Sequence, residues 1–186
     1  MTFAALFCVL ALAFGGSLGC DSTEWNFVTG NNNGNKVRLT VGLNRRNMII
    51  IPDEVKDRKR CSVRTINLHD FEEGLVAIKD PIKRSCWVKP LGKTDTYENA
   101  KQAFNSGNDV IQTTEDWLVP KRALDKDQVL REVGNLLADF CSDSEVYMLT
   151  RDTPSTNLPA KNKREDCDFI CFGCLVRANP LANNLE

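Results

Sequence analysis

The sequence lacks several features that would narrow its chemistry at once. It has a single histidine, His69. Alone, it cannot build a His-based zinc site, and a Cys–His dyad would need a distant partner. There is no excess of one charge: 24 Lys and Arg stand against 25 Asp and Glu, for a formal net charge of −1. That balance argues against nucleic acid or an anionic membrane as an electrostatic partner. No Asn-x-Ser/Thr triplet occurs, so an N-linked glycan is not expected. Beyond the first residues, no apolar run approaches the roughly 20 residues that a membrane span needs. The βαβ rhythm of a parallel α/β fold is also missing.

What remains is a globular composition, 42% hydrophobic and 26% charged. The length suits one domain with appendages. Phe3 to Phe14 is continuously apolar, and Ser17 and Gly19 fit a signal-peptidase site, so residues 1–19 are expected to be a signal peptide cut after Gly19. The bland alternative is a buried N-terminal helix. Secretion permits disulfides. Seven cysteines then remain: Cys20, Cys61, Cys86, Cys141, Cys167, Cys171 and Cys174. Seven is odd, which leaves room for a free thiol, a homo-oligomer or loss with a processed segment; sequence alone does not fix connectivity.

In chain order, Asp21 to Asn35 reads as a polar, flexible leader, and residues 20–60 as a linker region with strands. Val37, Leu39, Val41 and Leu43 alternate with Lys36, Arg38 and Thr40, the pattern of a half-buried strand. Met48 to Ile51 is a second strand, stopped at Pro52. Arg58-Lys59-Arg60 is a loop or a protease site. Ser62 to Leu68, Leu75 to Ile78 and Ser85 to Leu91 are expected strands of an antiparallel meander, with turns at Gly74 and Pro81. Thr94 or Asp95 can cap a helix through Phe104, and Asn108 to Lys121 reads as an extended pass. Asp125, with Gln128 placed for a capping box, opens a helix striped by Val129, Val133, Leu136, Leu137 and Phe140 and ending at Cys141. Val146 to Leu149 is a last strand.

From Arg151 the composition changes. Residues 152–164 are a Pro- and Lys-rich linker ending in Lys163-Arg164, a dibasic pair of the kind a secretory-pathway convertase cuts. Residues 165–186 contain CDFICFGCLV, a run of high β propensity whose core is uncharged. Cys171-Phe172-Gly173-Cys174 is a CxxC, but Asn179-Pro180 stops any helix that would follow it. Structural disulfides therefore rank before zinc or redox work.

His69-Asp70-Phe71, Gly74 and Cys86, with Cys86 16 residues after Asp70 and a capped helix ending on Cys141, resemble the signature of a BRICHOS domain. The likeness covers roughly Cys61 to Arg151. It implies an α+β fold: an antiparallel sheet of about five strands with a helix on each face. It implies a disulfide between Cys86 and Cys141, closing a loop of about 55 residues and contributing roughly 4 kcal/mol. It implies a partly buried regulatory carboxylate at Asp70, which the residues alone would place in an exposed turn. It implies no catalytic residues, cofactor or metal. Its functional implication is a proprotein whose domain chaperones its own β-prone C-terminal segment. Two alternatives remain: a precursor releasing a host-defence or signalling peptide, and a thiol oxidoreductase acting through Cys171 and Cys174. Glu165, Asp166, Asp168 and Glu186 against Arg177 make the released segment anionic, a poor match to cationic membrane-active peptides.

Overall fold

The alternating segments become strands, and their pairing orders the molecule. A computed structural model of the chain describes residues 23–30, 36–52, 65–106, 113–151, 168–171 and 174–180. The strands are β1 (Thr23–Gly30), β2 (Lys36–Leu43), β3 (Asn47–Pro52), β4 (Ile66–Asp70), β5 (Leu75–Asp80), β6 (Ser85–Pro90), β7 (Thr113–Val119), β8 (Glu145–Met148), β9 (Thr150–Arg151), β10 (Asp168–Cys171) and β11 (Cys174–Pro180). The helices are α1 (Tyr97–Ser106) and α2 (Lys126–Phe140). The fold is mixed α+β. A seven-stranded sheet runs β1-β2-β3-β4-β5-β6-β8, and a four-stranded sheet runs β10-β11-β7-β9.

The larger sheet is antiparallel except where β8 joins β6 in parallel. A pure meander was expected, but α2 returns the chain over the sheet and so permits a parallel pair. The sheet is also wider than about five strands. Thr23–Gly30, expected to be a flexible leader, pairs with β2 along its whole length, and β3 pairs with β4, so the early strands continue the same sheet. Thr, Trp, Phe and Val in that polar stretch suit an edge strand, where one side of the backbone faces water.

Register sorts the side chains into rows. Leu43, Met48, His69, Val76 and Lys89 lie directly across five strands. Val41, Ile50, Asn67, Ile78 and Trp87 form the next row on the same face. On the opposite face run Ile49, Leu68, Ala77, Val88 and Met148. The α2 residues Val133 and Leu137 pack with Leu68, Ala77, Cys86, Val88 and Val146. Ala100 and Phe104 of α1 pack with Val41, Leu43, Met48 and Ile50. Trp117 of β7 packs with Val76, Ile78, Trp87 and Leu149. Covered on both sides, β6 is buried at four consecutive positions, Cys86 to Lys89.

Local chemistry sets the ends of the elements. Thr96, rather than Thr94 or Asp95, caps α1: its Oγ1 accepts from the Asn99 N–H at 3.3 Å. Asp95 is engaged elsewhere, accepting from the Gly92 N–H at 2.8 Å. At α2 the Asp125 N–H donates to Gln128 Oε1 at 2.9 Å, the expected half of the capping box. The helix is interrupted at Gly134, whose φ of +75° a side chain rarely adopts. A Cβ there would lie 3.2 Å from the Glu73 side chain.

Candidate functional site

Cys86 leaves β6 on the α2 side, and Cys141 caps the C-terminus of α2, its N–H donating to Leu137 O at 3.0 Å. The two form a disulfide with a Cα–Cα distance of 5.9 Å. Both are buried, so the bond staples the sheet to the helix within the core. Beside it, Lys79 Nζ donates to Phe140 O at 2.9 Å, pairs with Asp143 at 2.6 Å and lies over the Phe140 ring. The last carbonyls of a helix favour such a cation. Its hydrogen bond holds the Asp143 carboxyl below the ordinary value.

Asp70 ends β4 and is buried, 5% exposed. One carboxylate oxygen, Oδ1, accepts from the N–H groups of Glu72 at 2.9 Å and Glu73 at 3.1 Å. The side chain therefore closes the turn that leads through Gly74 (φ +68°) into β5. Asp70 is thus a turn residue, as its neighbours indicate, but a buried one. Glu72 reaches away to an exposed pair with Arg46 at 3.2 Å. His69, 1% exposed, lies in the row on the other face from α2. Burial, followed by the positive charge of Lys89, lowers its pKa to about 3, so the imidazole is neutral at ordinary pH.

The sequence reading did not single out the cluster beside His69. Lys89 is 1% exposed, and its Nζ donates to Glu115 Oε2 at 2.9 Å. The same oxygen accepts from Trp117 Nε1 at 2.9 Å, and the ammonium lies 5.2 Å from the centre of the Trp117 ring. Burial alone would raise the Glu115 carboxyl. Hydrogen bonds from Lys89 and Trp117, with the charges of Lys89 and Arg151, outweigh it and hold the carboxyl below its ordinary value. Lys89 shares its face with Trp87, and a tryptophan on that face was the available sign that the face is covered.

The C-terminal segment lies against this cluster's strand. β10 and β11 pair antiparallel, with Cys171 opposite Cys174. β11 then pairs with β7 in parallel over seven positions, from Cys174 opposite Thr113 to Pro180 opposite Val119. The CxxC thus bridges two strands, unlike the strand-to-helix setting of a thioredoxin-type motif. The predicted cleavage positions Gly19, Lys163 and Arg164 lie outside the described residues, as do Cys20, Cys61 and Cys167 and the basic run Arg58 to Arg60. Comparisons with protein-family models, with curated proteins and with solved structures give no significant match.

Proposed function

We propose that the chain is a secreted BRICHOS-type proprotein whose domain acts as an intramolecular chaperone for its own segment Glu165 to Glu186. The observation that carries this reading is the parallel ladder between β7 and β11. The β-prone part of the tail is held by backbone pairing on a strand of the same chain, the mode by which extended peptides dock on sheet edges. Held so, its hydrogen-bonding groups are occupied and are withheld from other copies. The Cys86–Cys141 staple and buried Asp70 fit the same family plan. The reading takes the core as β3 to β6 with β8, flanked by α2 over Leu68, Ala77 and Val88 and by α1 over Met48 and Ile50.

The test compares a synthetic peptide of residues 165–186 with the intact chain at equal concentration, followed by thioflavin fluorescence and sedimentation. The peptide alone is expected to aggregate and the intact chain to stay in solution. A peptide that remains soluble by itself removes the need for a chaperone. In the same reading, Asp70 biases self-assembly. Asp70→Asn keeps an Oδ1 acceptor for the turn and removes only the charge. An oligomer profile across mildly acidic pH identical to the parent's would sink that role.

The second reading, a precursor that releases a peptide, is favoured by Lys163-Arg164, which a secretory-pathway convertase would cut. Mass spectrometry of secreted material distinguishes it: a free peptide beginning at Glu165 supports release.

A further inference from the structure

β7 comes from the connection between the two helices, yet it is the strand that carries the C-terminal hairpin. Among the described residues its backbone pairs only with β9 and β11, never with the larger sheet. Side chains hold it there instead. Trp117 sits on Val76, Ile78, Trp87 and Leu149, and Glu115 accepts hydrogen bonds from both Lys89 and Trp117. Lys89 projects from the floor of the larger sheet, in one row with Met48, His69 and Val76.

We infer that Lys89 is a positioning residue. By anchoring Glu115, and through it the Trp117 indole, it fixes β7 as the receptor strand for Cys174–Pro180, and it keeps that segment bound after the linker ahead of it is cut. This rests on the chaperone reading above. A strand ordered before its partner arrives spares the ordering entropy that capture would otherwise cost. Glu115 and Trp117 are two residues apart, so both side chains face the larger sheet while the strand's edge stays available to β11. Without Lys89, the Glu115 carboxylate loses its hydrogen-bonded cation above a largely apolar floor and is driven toward water, and β7 moves with it.

The experiment uses the full chain, with a sequence-specific protease site inserted between Lys163 and Arg164. Cys167, Cys171 and Cys174 are replaced by Ser so that no disulfide tethers the tail. After cutting, size-exclusion chromatography with mass spectrometry follows the released segment, and unlabelled peptide of residues 165–186, in excess of the chain but below the concentration at which it aggregates, measures its exchange. Lys89 intact, the segment is expected to co-elute with the domain; in Lys89→Met it is lost from that peak. Trp117→Phe keeps an aromatic ring but deletes the hydrogen bond to Glu115. It is expected to exchange faster, and it carries the test should Lys89→Met not fold. A segment that leaves the unsubstituted domain at once overturns the inference, while solubility of the uncut chain judges the chaperone reading separately. Equal retention in parent and Trp117→Phe also overturns it.

Discussion

At the scale of single residues, the buried charges decide most. Lys89 and Glu115 were not legible because a lysine in a strand normally points to water, and nothing in the local pattern shows that β7 covers that face. Lys89 is buried and Glu115 half-buried; removing one partner of such an ion pair is costly, whereas replacing both with apolar groups can be nearly neutral. Lys89→Met should therefore destabilise the chain by about 3 kcal/mol, and Lys89→Met with Glu115→Leu by much less, as read from urea midpoints. His69 supplies a pH dependence. Unfolded, it takes a proton near its ordinary value of 6.5; folded, it waits until about 3. Its contribution is thus complete above pH 6.5 and is lost as pH falls through that window. Glu115 and Asp143, held below their ordinary values of 4.5 and 3.8, add losses only at lower pH. Between pH 6.5 and 4.5 stability should fall by about 1.4 kcal/mol per pH unit, and His69→Leu should remove that slope.

At the scale of elements, regular periodicity was readable and its interruptions were not. The stripe from Val129 to Phe140 forms α2 as expected, and Val133 and Leu137 are fully buried. The break at Gly134 escaped notice because a glycine inside an apolar stripe looks like a weak helical residue. Its left-handed φ and the neighbouring Glu73 side chain show otherwise. Gly134→Ala should cost about 1–2 kcal/mol in chemical denaturation, from backbone strain more than from the flexible Glu73 contact. Pairing Gly134→Ala with Glu73→Ala should recover only a minor part. β1 was missed for the opposite reason: its polar, Asn-flanked composition resembles a loop, and its strand character comes from its partner β2.

At the scale of the whole molecule, the α+β class and the Cys86–Cys141 disulfide are what the resemblance to a BRICHOS domain implies, while seven cysteines by themselves leave the pairing open. The second sheet was not legible, since a parallel pair between residues so far apart leaves no local trace. Joint Cys86→Ser and Cys141→Ser replacement should cost roughly 4 kcal/mol, measured in the thermal transition of the full chain.

The order β10-β11-β7-β9 also has a mechanical consequence. The linker enters the hairpin at β10, the outermost strand, while β11 lies inside it against β7. Tension drawn through the linker therefore reaches β7 by way of the hairpin, and the four β10–β11 pairs are expected to yield before the seven of the β7 ladder.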